Sequence, residues 1–280
     1  MGKIYTIANQ KGGVGKTTTT INLGAYLAQY NKRVLLIDLD PQANTTACLG
    51  IDKRKVKGGT YETIIGKKPI FDFILYHPEF NISLLPSTLA LAGAEVELVG
   101  EPSRESHLAQ AVKPIRDRYD YILIDCPPSL GLLTINGLVA AHNGVIIPVQ
   151  CEYLALEGLG QLNQTLNLVQ QSMFPELIIR GVVMTMFNTR TNLSTDVVAE
   201  VRRHFPNRVF STVIPRSIRL AEAPSYGQPI SVYAPDSIGA NAYATLAREI
   251  LAGDGAPVSE TKESIGDSLC PQKEPASAKG

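Results

Sequence analysis

The sequence predicts an α/β fold: a single domain with a mostly parallel sheet and helices on both faces. Three observations predict it. Short apolar runs recur along the chain, and stretches with helical periodicity lie between them, the pattern of strands buried on both faces. The first run, Ile4–Ala8, leads straight into a glycine- and lysine-rich turn that opens a helix. Two later runs, Arg33–Ile37 and Tyr121–Ile124, each deliver an aspartate at their carboxyl end, the edge where open α/β sheets bind ligands.

The elements follow in order. A helix is expected over Lys16–Gln29, where Ile21, Leu23 and Leu27 form an apolar stripe. Arg33–Ile37 is a buried strand that ends in Asp38-Leu39-Asp40-Pro41-Gln42-Ala43-Asn44. Lys53–Thr60 is basic and glycine-rich, hence a surface loop. Ile82–Leu85 is a short strand, and Leu89–Arg118 is mostly helical with a break near Gly100–Pro102. Strands are predicted at Tyr121–Asp125, Gly144–Pro148, Ile178–Met184 and Val209–Ile214. Between and after the last of these lie helices at Gly158–Met173, Thr195–His204 and Ile238–Leu251. The folded domain therefore covers 1–252. Beyond it, 253–280 is rich in Gly, Pro, Ser, Lys and Glu without periodicity, and a disordered tail is expected.

Composition bounds the class. The 280 residues are 44% hydrophobic and 19% charged, which suits a folded core with a polar surface. Lys+Arg and Asp+Glu both total 26, so any basic footprint has to be local. The four cysteines show no C-x-x-C or metal-ligand spacing and are expected to be reduced thiols. No apolar run approaches the roughly 18 residues of a membrane span, and the chain enters a strand by Ile4. A cytoplasmic protein without a membrane partner is expected. Met1-Gly2 with Thr6 fits an acylation pattern by chance, since the first core strand needs that segment.

The chemistry starts at Lys11-Gly12-Gly13-Val14-Gly15-Lys16-Thr17-Thr18. Glycines let a backbone wrap an anion with its N–H groups inward, and the helix N-terminus adds a positive dipole end. Lys16 then carries charge to the β/γ-phosphates and Thr17 offers a hydroxyl to Mg²⁺. The alternative, a glycine-rich turn that binds nothing, leaves Gly-Lys-Thr between strand and helix without a use. The loop departs from G-x-x-x-x-G-K-[ST] because Gln10 stands at the first glycine position, with an additional cation, Lys11, beside it. Asp125, lifted by an apolar strand, fits a carboxylate that holds a metal-bound water, although a lone aspartate there can also cap a turn. Asp38 and Asp40 follow the same apolar strand two residues apart, with Leu39 between them.

This loop resembles the deviant Walker A motif of the ParA/MinD family of P-loop ATPases. The resemblance implies ATP and Mg²⁺ as ligands, and a role for Lys11 across a nucleotide-sandwich homodimer. Asp38-x-Asp40-Pro-Gln-Ala-Asn resembles the family's switch I, which implies that Asp40 orients the attacking water while Asp38 and Asp125 support the metal with Thr17. Asp125-Cys-Pro-Pro-Ser129 resembles switch II. Asn188 and Pro215 correspond to segments that flank the nucleobase, with an ordinary turn as the alternative for Asn188. Gln150–Gly158 resembles an interface segment to which no chemistry is assigned.

Between Arg180 and Arg219 stand seven arginines against only Asp196 and Glu200, a local excess of 7 − 2 = +5. Such an excess is usually a solvated face. The stretches Phe187–Asn192 and Ile214–Ile230 resemble the chromosomal, Soj-type branch of the family. That implies nonspecific contact with double-stranded DNA through Arg190, Arg216 and Arg219, a nucleoid location, and a ParB-type partner that stimulates hydrolysis. A MinD-like membrane ATPase would need an amphipathic C-terminal helix, which the prolines at 257, 271 and 275 oppose. An iron–sulfur reductase would need cysteine loops that Cys126 before two prolines does not supply. A metabolic P-loop ligase or kinase would need a second substrate pocket.

Overall fold

The apolar runs alternate their side chains between two faces, and both faces are buried, so the strands must be covered twice. The computed structural model describes residues 1–152 and 155–258. Its strands are β1 (Lys3–Ile7), β2 (Val34–Asp38), β3 (Leu75–His77), β4 (Ile82–Leu85), β5 (Tyr121–Asp125), β6 (Val145–Gln150), β7 (Ile179–Phe187) and β8 (Val209–Pro215). They form one sheet in the order β3-β4-β2-β5-β1-β6-β7-β8. Among the described residues only the β3–β4 pair is antiparallel.

The helices are α1 (Lys16–Gln29), α2 (Asn44–Cys48), α3 (Thr60–Ile64), α4 (Leu91–Glu97), α5 (His107–Val112), α6 (Leu132–Ala140), α7 (Ala155–Ser172), α8 (Asn192–His204), α9 (Ile218–Glu222), α10 (Ile230–Tyr233) and α11 (Ile238–Gly253). Ile4, Leu35, Ile37, Ile122 and Ile124 pack on one face with α3 to α8. Tyr5, Ile7, Leu36 and Leu123 pack on the other with α1, α10 and α11.

Helix α1 spans the predicted residues, and Leu89–Arg118 resolves into α4, α5 and two 3₁₀ turns at Leu98–Gly100 and Lys113–Arg118. Several elements were not expected. Helix α6 is apolar on nearly every side, so it carries no amphipathic period. Strand β3 is three residues long and partly exposed. Helices α2, α3, α9 and α10 are each a single turn or little more.

Residues 253–257 do not behave as a free tail. The Asp254 carboxylate accepts from the hydroxyls of Tyr5 (2.6 Å) and Tyr121 (3.0 Å) and pairs with the Arg180 guanidinium at 3.2 Å. Burial, with the Asp254 carboxylate beside them, pushes both tyrosine hydroxyls well above their ordinary range. Lys32 Nζ donates to Pro257 O. The remainder of the predicted tail, 259–280, lies outside the described residues.

At the sheet's far edge the β7–β8 register slips between Val182/Val209 and Met184/Val213. A bulge of this kind leaves backbone groups without ladder partners. The Glu249 carboxylate on α11 takes the Ser211 N–H (2.6 Å), the Thr212 N–H (3.0 Å) and the Thr212 hydroxyl (2.7 Å).

Candidate nucleotide-binding site

The parallel register brings the carboxyl ends of three central strands together: Ile7 stands opposite Asp125, and Asp125 opposite Asp38. The loop after β1 therefore lies directly over both aspartates. Gly13 (φ 74°) and Gly15 (φ 92°) adopt the left-handed backbone that lets the loop curl before α1 begins. Val14 is buried, and its carbonyl accepts from the Thr185 hydroxyl at 2.8 Å, which ties the loop to β7. Lys16 is buried under the loop, its Nζ donating to Lys11 O at 3.1 Å, and burial lowers its pKa.

Thr17 Oγ1 donates to Asp125 Oδ2 at 2.7 Å. Thr45 Oγ1 donates to the same oxygen at 2.7 Å, and Thr20 Oγ1 approaches Oδ1 at 3.4 Å. Asp38 accepts from the backbone N–H (2.8 Å) and hydroxyl (2.7 Å) of Thr46 and from the Asp40 N–H (3.2 Å). Burial pushes Asp38 up to about 7, with the neighbouring Asp125 charge adding to it, and burial pushes Asp125 up to about 6. Two desolvated carboxylates facing a row of hydroxyls fit a hard, oxygen-seeking cation that keeps several waters. Among the described residues no three His, Cys, Asp or Glu side chains converge as a closed metal cage.

Asp40 separates from Asp38. Its Oδ1 accepts from the Gln42 N–H at 2.9 Å, and the residue lines a cleft of about 320 Å³ with Gly12, Gly13, Lys16, Thr17 and Asn44. A second cleft of about 250 Å³ adjoins it, lined by Thr185, Pro215, Arg216, Leu220 and Tyr243. Gly15, Thr18 and Met186 line both. A cationic end joined to an apolar end complements the phosphate and base ends of a nucleoside triphosphate.

Of the expected site residues, the structure brings Gly12, Gly13, Gly15, Lys16, Thr17, Thr18, Asp40 and Pro215 to the clefts, with Asp125 beneath them. Asn188 lines neither cleft, and its side-chain oxygen accepts from the Arg190 N–H, the bond of a turn former. Lys11 lies outside both, with Nζ 3.8 Å from Glu152. Met186, Asn44, Thr45 and Thr46 were missed. Met186 holds φ 53°, which no sequence signal marks, while the threonines directly follow the Asp40 motif and were the available hint.

The basic stretch is smaller than its count. Arg180 is committed to Asp254 inside the fold, and Arg203 and Arg219 pair with Glu200 and Glu222 at 2.9 and 3.0 Å. Arg216 lies 3.7 Å from Glu152, whereas Arg190 is exposed. Tyr153 and Leu154 of the expected interface segment lie outside the described residues.

The fold and this site define a P-loop ATPase that uses ATP and Mg²⁺. A family model described as an AAA domain matches residues 2–179. The sporulation initiation inhibitor protein Soj of Bacillus subtilis is 53% identical over 252 residues, covering 90% of this chain and 99% of that protein. The chromosome partitioning protein ParA of Myxococcus xanthus is 49% identical over 256 residues, 91% of this chain and 89% of that one. Among solved structures, cobyrinic acid a,c-diamide synthase of Mycobacterium smegmatis with ADP and magnesium superposes with a TM-score of 0.80 at 37% identity, over 94% of this chain and 100% of that one. The chain belongs to the Soj/ParA family of chromosome-partitioning ATPases.

Proposed function

We propose that the chain is an ATP-dependent dimerising ATPase whose ATP-bound sandwich dimer binds DNA without sequence preference and is released when a ParB-type partner stimulates hydrolysis. Lys16 holds the β/γ-phosphates, and the Thr17 hydroxyl, oriented by Asp125, holds magnesium with Asp38 in support. Magnesium, when bound, neutralises phosphate charge. Asp40, free to face the cleft once Asp38 is taken up by Thr46, orients the attacking water. Lys11 reaches the phosphates of the other subunit.

The observation that carries this reading is Glu152, which lies 3.8 Å from Lys11 Nζ and 3.7 Å from Arg216 Nη2. One carboxylate thus touches both the cation proposed to cross the dimer and an arginine proposed to meet DNA, at the rim of the base cleft. Closing the dimer withdraws Lys11 and changes what Arg216 faces. DNA-retention assays with ATP, ADP and no nucleotide test the proposal. Retention is expected only with ATP, and Arg190→Glu or Arg219→Glu should abolish it while ATP-dependent dimerisation persists in sedimentation. Equal retention in all three states would overturn the coupling.

A further inference from the structure

Lys53, Arg54, Lys55 and Lys57 put four cations into five positions, with Asp52 as the adjoining acid. All four side chains are exposed, and nothing in the nucleotide site uses Lys55 or Lys57. The loop that carries them is anchored at both ends. At its start Gly50 touches Gly227, where an added Cβ would lie 2.6 Å from Gly50 Cα, so the approach requires glycine. At its end Gly59 fits against Pro86 O with no room for a side chain, and the Thr60 hydroxyl donates to Asp38 O at 2.7 Å. Between the anchors, the Lys55 N–H closes a turn on Asp52 O at 2.9 Å. The Arg54 guanidinium holds the Asp52 carboxylate at 3.0 and 3.1 Å, which cancels the acid. Lys53 Nζ donates to Gln42 O at 3.0 Å. Lys55 and Lys57 are left with side chains that make no hydrogen bond or ion pair among the described residues.

Their position argues for a ligand. Gly227 directly follows the 3₁₀ turn Ala223–Tyr226, which continues α9 and Arg219. The five residues of chain from Gly50 to Lys55 reach at most about 17 Å. Eight residues of helix and 3₁₀ turn from Gly227 back to Arg219 span about 12–16 Å. With Lys57 seven residues from Gly50, at most about 24 Å, and about 4 Å for the Gly50–Gly227 contact, both lysines fall within about 44 Å of Arg219, less than one and a half turns of duplex.

We propose that Lys55 and Lys57 form a second site for the sugar–phosphate backbone of duplex DNA, extending the strip that begins at Arg219. This rests on the DNA-binding reading above. Contacts of this kind carry no sequence information and act through counterion release.

The test is fluorescence anisotropy on a mixed-sequence duplex with ATP, from about 50 to about 200 mM salt, using the full chain, Lys55→Ala/Lys57→Ala, Lys55→Arg/Lys57→Arg and Arg219→Ala. The double alanine variant should keep its DNA-independent ATP turnover yet bind more weakly. Its log–log salt slope should be shallower by about 0.9 for each lost phosphate contact. The double arginine variant should restore both. Parent-like affinity and slope in the double alanine variant, with Arg219→Ala defective, would overturn the second site and leave the DNA reading standing. No ATP-dependent binding by the parent chain would remove the DNA reading and this inference together. Lysine-dependent capture on phosphatidylglycerol vesicles, with DNA binding unchanged, would make the loop a membrane contact and also overturn the proposal.

Discussion

At the scale of single residues, Lys16 is the buried cation of the loop, and the neighbours that raise its pKa against burial are Asp125, Cys126 and Asp40. Lys16→Ala should weaken ATP binding by about 2–3 kcal/mol, roughly 30- to 150-fold, as expected for a charge-assisted hydrogen bond. Isothermal titration measures it, and parent-like affinity would mean that the backbone amides suffice. Asp40→Ala should bind ATP normally and accumulate as a closed dimer, because Thr17, Asp125 and Lys16 are untouched. Parent-rate turnover in that variant would reduce Asp40 to a turn former for the Gln42 N–H. These residues were legible because a strand, a glycine-lysine-threonine turn and a helix fix the spacing locally. Thr45 was not, since its hydroxyl meets a carboxylate 80 positions away. Met186 was not either, because its left-handed backbone falls at the register slip between Met184 and Phe187 within β7, which nothing in its side chain marks.

At the scale of elements, the end of α11 is stapled to the sheet through Asp254. The carboxylate is 4% exposed and serves Tyr5, Tyr121 and Arg180 together, so Asp254→Ala strands two hydroxyls and a guanidinium. The loss should be about 3 kcal/mol, the usual consequence of removing one partner of a buried pair. Urea denaturation measures it, and a change below about 1 kcal/mol would show that water replaces the carboxylate. The sequence showed where α11 begins but not that the chain remains docked beyond it, because Gly253-Asp254-Gly255 has the composition of a linker. Helix α6 was hidden for the opposite reason. Leu132–Ala140 is wedged between other elements and needs no polar face. Strands β1, β2, β5 and β6 were legible because burial on both faces demands continuous apolar runs.

For the whole molecule, the two buried aspartates set a pH dependence. Asp38 at about 7 and Asp125 at about 6 lie above the unfolded carboxylate range, so the folded chain binds protons that the unfolded chain does not. Stability should therefore fall as pH rises through 6 to 7. The nucleotide-free protein should be about 1 kcal/mol more stable at pH 6.5 than at pH 8, a melting shift of about 2 °C. Burial lowers the His142 pKa and opposes the trend as the pH falls below 6.5, but one imidazole offsets only part of what the two carboxylates contribute. Calorimetry across that window decides, and a flat profile would mean that hydration keeps both carboxylates near their ordinary range. The mostly parallel sheet followed from apolar runs alternating with helices, though the strand order did not, and the basic surface did not follow from a charge count, since Arg180 proved to be an internal strut. The bulge in β8 has a bearing on solubility. A terminal strand with free amides invites another molecule's strand to add on, and continuous sheets growing from subunit to subunit end in aggregation. By spending Glu249 on the Ser211 and Thr212 amides, the chain withdraws that template at its own margin. It can then be crowded at high local concentration without one copy's sheet extending into the next.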